Sequence, residues 1–197
     1  MAKTRGEGKQ GKKVIVLLGS PRRKGNSSLL AEKIAKGAKA AGANVETFFL
    51  ADMDIAPCKS CYACQKPGSK GCAIQDDMQM LYRKMLEAQS WVIASPVYWF
   101  SMSAQTKLWM DRCFAFPAYG RDPFAGKRVA IAMAYGGSDP FDSGCVNALR
   151  TFQDSFGYVK AEIVGMVYGS AMNAGEIKTN KALLAEAEEL GNRLASY

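Results

Sequence analysis

Five short apolar runs, Val14–Leu18, Val45–Leu50, Trp91–Ala94, Val129–Ala134 and Ile163–Val167, set the limits on what this chain can fold into. They are nearly continuous rather than alternating, which is the pattern of strands buried on both faces of a parallel sheet. Parallel strands need crossover connections, and helical patterns fill the gaps between the runs. The first helix, capped by Asn26 or Ser27, carries Leu29, Leu30, Ile34 and Ala38 on one face and stops at Gly42. Asp76 or Asp77 caps a second, with Met78, Leu81, Tyr82 and Met85 at i, i+3, i+4 and i+7. A third opens at Ser101 or Ser103, runs through Leu108 and Arg112, and breaks before Pro117. A fourth is expected over 140–156. A fifth, over 179–195, turns Leu183, Leu184, Ala187, Leu190 and Leu194 inward.

Strict alternation of strand and helix gives an α/β three-layer sandwich with right-handed crossovers. Five strands with a ligand-type loop after the first favour a flavodoxin-like parallel sheet of order 2-1-3-4-5 over a Rossmann sheet. We expect residues 13–197 to form one domain, with no internal repeat and no linker. Only the stretch Asp52–Gln75 is too long for a plain connection, and it holds four of the six cysteines.

The formal net charge of +8 raises the question of a nucleic-acid partner, so its placement matters. Lys3, Arg5, Lys9, Lys12 and Lys13 stand against Glu7 alone in a Gly/Lys-rich leader, which carries half of the excess. Residues 1–12 are expected to be a disordered, solvated tail. No nucleic-acid recognition motif accompanies the charge, so no such partner is expected, and a mildly basic body suits anionic ligands. No apolar run approaches the roughly 20 residues of a membrane span, and no secretory or twin-arginine signal is present. The expected location is the cytoplasm. There is no histidine, which removes the imidazole base, the Ser-His and Cys-His nucleophile pairs and most catalytic zinc sites. Chemistry here has to come from a cofactor or from cysteines.

Between the first run and the first helix lies Gly19-Ser-Pro-Arg-Arg-Lys-Gly-Asn-Ser-Ser28. It offers hydroxyls at Ser20, Ser27 and Ser28, an amide at Asn26, cations at Arg22 and Arg23, and the free N–H groups of a helix start. Together these make an anion cradle. Neither a dinucleotide nor an NTP glycine pattern is present. The long loop carries Cys58-x2-Cys61-x2-Cys64-x7-Cys72. That spacing matches the ligation of a cubane iron–sulfur cluster, while zinc and free or redox-active thiols remain the alternatives. Cys113 and Cys145 fall on expected helices as packing residues. Asp111 and Arg112 read as a helix-end ion pair.

The stretches Gly19-Ser-Pro-Arg22, Asn26-Ser-Ser28 and Ser95-Pro-Val-Tyr-Trp-Phe-Ser-Met-Ser-Ala-Gln-Thr-Lys-Leu-Trp-Met-Asp-Arg112 resemble the NADPH-dependent FMN reductase superfamily, and within it the iron–sulfur flavoprotein branch. Gly175-Glu-Ile177 and Ala187-Glu-Glu-Leu-Gly191 are similar too. The resemblance implies that Ser20, Arg22, Asn26, Ser27 and Ser28 hold the FMN phosphate. By the same resemblance Pro96, Val97, Tyr98, Trp99 and Phe100 lie against ribityl and ring, and Tyr135, Gly136 and Gly137 approach the pyrimidine side. It also favours a [4Fe–4S] cluster on Cys58, Cys61, Cys64 and Cys72. The implied activity is hydride transfer from NAD(P)H to the flavin, then electron delivery to a small-molecule or protein acceptor, with no catalytic side chain required. A non-enzymatic FMN/iron–sulfur electron carrier is the alternative. Aromatic surface near Trp99, Phe114, Phe116 and Tyr119 suggests a homodimer or homotetramer.

Overall fold

The structure, a computed structural model, describes residues 11–197; the expected leader lies almost wholly outside the described residues. Strand β1 (Lys13–Leu18) pairs in parallel with β2 (Asn44–Phe49) on one side and β3 (Ser90–Tyr98) on the other. β3 continues to β5 (Arg128–Tyr135), and β5 to β6 (Glu162–Ser170), again in parallel. The order β2-β1-β3-β5-β6 is the expected one. A sixth strand, β4 (Ser101–Met102), was not expected: it folds back antiparallel onto the end of β3. Two residues are too few to leave a periodic signal.

The central strands β1, β3 and β5 divide the core in two, because successive side chains point to opposite faces. Ile15, Leu17, Trp91, Ile93, Val129, Ile131 and Met133 face α2 (Met78–Glu87), α3 (Ala104–Arg112) and α4 (Cys145–Tyr158). Val14, Val16, Val92, Ala94, Ala130 and Ala132 face α1 (Asn26–Ala40) and α5 (Lys181–Ala195). The second face is small-residue rich, and α1 and α5 meet there backbone to backbone. A Cβ on Gly37 would stand 1.9 Å from the Glu188 carbonyl oxygen, and one on Gly191 1.9 Å from that of Ile34.

The start of α3 is as expected, while those of α1 and α2 differ. Gly25, not Asn26 or Ser27, is the N-cap of α1. Ser103 caps α3 by accepting from Thr106 N–H. Asp77 stands at the cap position of α2 but accepts instead from Asp54 N–H at 2.8 Å. Asp76 accepts from Met78 N–H and, with its other oxygen, from Ala56 N–H. The two aspartates therefore close the base of the long cysteine loop as well as opening the helix. Among the described residues no helix is long and apolar enough to cross a membrane.

Candidate flavin site and cysteine loop

β1, β3 and β5 are adjacent and parallel, so the loops that follow them meet at one edge of the sheet, where open α/β sheets bind ligands. The β1–α1 loop is tied to β3 by Gly19 N–H donating to the Ala94 carbonyl at 2.8 Å. Within it the Ser20 hydroxyl accepts from Arg22 N–H, and the Ser28 hydroxyl donates to the Arg22 carbonyl. Gly25 N–H donates to that same carbonyl. These contacts shape a tight turn in which Arg22 is exposed. Ser27 Oγ is buried and has no hydrogen-bond partner. A buried hydroxyl left unpaired costs about 1–3 kcal/mol, so its place beside the free N–H groups of a helix start suits an oxyanion partner. On that observation the cradle fits a phosphate such as that of FMN.

Two of the expected cradle groups are otherwise engaged. Asn26 Nδ2 donates to the Ala171 and Asn173 carbonyls, and its Oδ1 accepts from Ile177 N–H, so the amide pins α1 to the segment after β6. Arg23 pairs with Asp52 and lies over the Phe49 ring.

The second loop is the β3–β4 hairpin, in which Val97 faces Met102 and Tyr98 faces Ser101. Its two-residue tip is Trp99 and Phe100, with φ of +48° and +65°. Such tips ordinarily take Asn and Gly, because large L side chains resist positive φ. The tip is held by α4: Asn147 Nδ2 donates to the Phe100 carbonyl at 3.1 Å. Gly144 leaves the room, since a Cβ there would lie 2.5 Å from Phe100 Cα. Strain over-determined in this way presents Trp99 93% exposed and Phe100 55% exposed. We expect Trp99→Asn combined with Phe100→Gly to raise unfolding stability by about 1–3 kcal/mol in a thermal melt. The same change should lower flavin-dependent turnover by about tenfold or more, because the aromatic tip is gone.

The third loop starts at Tyr135, Gly136 and Gly137. Tyr135 accepts from Ala171 N–H, and the Gly137 carbonyl accepts from the Ser170 hydroxyl. Gly137 has φ of +151°, and Gly136 leaves space filled by Met172. Close packing at Gly136 and the positive φ at Gly137 keep the backbone of this turn bare.

Beneath the first two loops lies a buried hydroxyl set that sequence reasoning did not assemble. Ser103 Oγ donates to the Gly19 carbonyl at 2.7 Å, meets Thr106 Oγ1 at 2.9 Å, and lies 3.3 Å from Ser95 Oγ. Ser95 Oγ accepts from Ser103 N–H. The phosphate-type loop and the aromatic hairpin are thus bolted together. The available signal was hydroxyls on both sides of the aromatic run, which periodicity does not register.

The cysteine motif keeps to a loop, broken only by a short 3-10 turn at Ala63–Gln65. Positive φ at Ser60 and Tyr62 curls it. Cys58, Cys61, Cys64 and Cys72 line one small cavity of about 20 Å³ together with Arg112 and Phe114. Among the described residues no three Cys, His, Asp or Glu side chains converge on one point. Four cysteines bordering one cavity, in a chain without histidine, are the donor chemistry that a thiolate-ligated group would use. Arg112 is paired with Asp76, not with Asp111 as expected; Asp111 pairs with Lys107 one turn back. Burial works against the Arg112 charge, yet the Asp76 contacts and neighbouring Tyr82 and Cys72 hold its pKa above the ordinary value.

The expected aromatic surface is also revised. Phe116 is fully buried, and Tyr119 stacks on Tyr82 at 4.6 Å, leaving Trp99 and Phe114 outside. A cavity of about 830 Å³ lies away from the sheet edge, between α3 and α4, and is lined by Met110, Phe114, Phe156 and Tyr158 among others. It shares no residue with the β1–α1 loop.

With this arrangement in view, the sequence profile described as NADPH-dependent FMN reductase matches residues 12–175. The chain belongs to that family. An iron–sulfur flavoprotein of Archaeoglobus fulgidus is 40% identical over 124 residues, 63% of this chain and 62% of that protein. A second iron–sulfur flavoprotein of the same organism is 28% identical over 190 residues, 93% of this chain and 79% of that one. The alignments to the first relatives span about half to two thirds of their length. An NAD(P)H:quinone oxidoreductase from Methanothermobacter marburgensis superposes with a TM-score of 0.73 at 19% identity, over 95% of this chain and 98% of that one, which shows a shared fold.

For this FMN reductase family member the remaining two thiols are packing groups. Cys145 is buried at the start of α4, and burial pushes its pKa up to about 11. Burial also raises that of Cys113, whose Sγ donates to the Trp109 carbonyl. We expect Ellman's reagent to modify exposed Cys58 and Cys61 within minutes in the apo chain and to leave Cys145 untouched until the protein is unfolded.

Proposed function

We propose that this chain is an FMN-binding, NAD(P)H-dependent oxidoreductase that passes electrons to an acceptor through a [4Fe–4S] cluster on Cys58, Cys61, Cys64 and Cys72. The observation that carries the flavin reading is the buried, unpartnered Ser27 hydroxyl in the β1–α1 cradle. Bound FMN would supply two-electron chemistry with a nicotinamide and one-electron chemistry with the cluster. Ser20, Ser27 and Ser28, with the exposed Arg22, would bind its phosphate, while Asn26 holds the helix start in place. Pro96, Val97, Tyr98, Trp99 and Phe100 would orient the ring and exclude water from one side. The turn at Tyr135, Gly136 and Gly137 would offer backbone N–H groups to the pyrimidine edge, where charge develops.

Residues 13–197 would act as one domain, and a homodimer or homotetramer would cover the exposed aromatic tip and the apolar cavity beside α4. We place the protein in the cytoplasm, with quinone-like molecules or a protein as acceptor and no nucleic-acid or membrane partner.

An anaerobic UV–visible spectrum, with iron measured on the same sample and NADPH or NADH then added, tests this reading. Flavin bands over a brown shoulder, about four irons per chain, and rapid bleaching by a nicotinamide are expected. Flavin that neither nicotinamide bleaches would make the protein an electron carrier. A chain that takes up no FMN would remove the reading altogether.

A further inference from the structure

We propose that Arg112 is a positioning residue for the cysteine centre: its buried guanidinium holds Cys72 Sγ in place and sets a positive charge against that one sulfur. This rests on the reading of the four cysteines as a cluster site. The guanidinium and its partner Asp76 have side chains only 1% and 3% exposed. Its hydrogens can be accounted for one by one. Nη1 donates to Asp76 Oδ2 at 2.5 Å and to the Ala56 carbonyl at 2.8 Å. Nη2 donates to Asp76 Oδ1 at 3.1 Å and to Cys72 Sγ at 3.4 Å. Only Nε is left buried without a partner. Anchoring the loop needs no more than the carboxylate and the Ala56 carbonyl; the remaining Nη2 hydrogen is aimed at sulfur.

The four cysteines are not equivalent in this respect. Cys58 and Cys61 are exposed. Cys64 Sγ accepts from the neutral Gln65 amide at 3.4 Å. Cys72 alone receives a cationic donor, and its backbone is fixed as well, its N–H donating to Tyr119 Oη, which in turn donates to Gln79 Oε1. Gly71, at φ +124°, lets the Tyr119 ring pack where a Cβ would lie 2.3 Å away. A hydrogen bond from a fixed cation to a ligating sulfur stabilises the more negative, reduced state. Removing it should therefore make reduction harder. The buried, charge-assisted geometry leads us to expect about a tenfold change in the one-electron equilibrium, about 59 mV.

The test uses the full chain reconstituted anaerobically with FMN, iron and sulfide. The variants are R112K, which keeps the charge but loses the fork, and the double variant D76N/R112Q, which replaces the buried ion pair by neutral amides. Redox titration followed by electron paramagnetic resonance should give a cluster potential about tenfold less favourable for reduction in the double variant and intermediate in R112K. The flavin potential and the far-UV circular dichroism should stay put. Cluster potentials equal to wild type in the folded variants would overturn the proposal, because a residue that merely anchors the loop does not move them. If the double variant fails to fold, R112K decides on the same criterion. Should a folded variant fail to hold iron, Cd²⁺ added to the apo chain replaces the cluster as probe. Loss of about one thiolate's share of the charge-transfer absorption would support the placement of Cys72 by Arg112, and full wild-type absorption would overturn it. A wild-type chain that takes up neither iron nor Cd²⁺ removes the cluster reading and this proposal with it.

Discussion

Asp76→Ala is expected to lower the unfolding free energy by about 3–5 kcal/mol, because it leaves the Arg112 guanidinium charged, buried and without its counter-ion. The carboxylate also accepts from Ala56 and Met78 N–H, so both the cysteine loop and the first turn of α2 lose a partner. For a chain of this length that corresponds to a fall in melting temperature of about 6–20 °C. Differential scanning calorimetry of the apo protein measures it directly. Asp111→Ala is the informative control. That residue makes an exposed pair with Lys107, and such pairs contribute at most about 1 kcal/mol. Equal losses from the two variants would show that Asp76 and Arg112 do not form the buried pair described here.

Gly19→Ala should raise the FMN dissociation constant about 100-fold, near 2.7 kcal/mol, in a flavin-fluorescence titration. The reason is steric. A Cβ at that position would lie 1.9 Å from Thr106 Oγ1, 3.0 Å from Ser103 Oγ and 3.1 Å from the Ala94 carbonyl oxygen. None of these can withdraw cheaply, since the two hydroxyls are buried in mutual hydrogen bonds. The loop must move away from β3, taking Ser20 and the start of α1 with it. An overpacked core costs a further 1–3 kcal/mol or so of stability. Combining Gly19→Ala with Thr106→Ser, which removes only a methyl group, should recover little. Combining it with Thr106→Gly should recover part of the binding.

The centre of the sheet was legible because β1, β3 and β5 are apolar on both faces, which is a strong and local signal. Val14 to Leu18 reads as a buried strand whatever surrounds it. The proposed cradle rests on a similarly local signal, since Ser20 follows β1 and Ser27 and Ser28 open α1, on either side of one strand-to-helix turn. What did not show were choices among equivalent partners. Asp111 sits next to Arg112 in sequence, yet consecutive residues on a helix do not face each other. The arginine instead finds Asp76, 36 residues earlier. Asn26 was read as a cradle or cap residue because Asn suits both. It turned to Ala171, Asn173 and Ile177, three partners that only the tertiary fold brings within reach. Phe116 and Tyr119 were read as surface together with Trp99 and Phe114. The 3-10 segment after α3 rotates them into the core beside Tyr82. The hairpin tip at Trp99 and Phe100 was the least predictable element, since its backbone contradicts the preferences of its own residues.

The contacts of α1 also bear on the order of events at the ribosome. The loop before α1 belongs to the first strand-to-helix connection of the sheet, so it is synthesised well before α5. Its helix, however, is fastened by Asn26 to residues 171–177 and through Gly37 and Gly191 to α5. A nascent chain that lacks these late residues cannot complete the wall behind the cradle. Stalled chains released before residue 181 should therefore emerge without flavin even when FMN is abundant. The earlier of these two segments would thus become competent only once the later one has arrived, so that FMN uptake would report residues 171–191 in place.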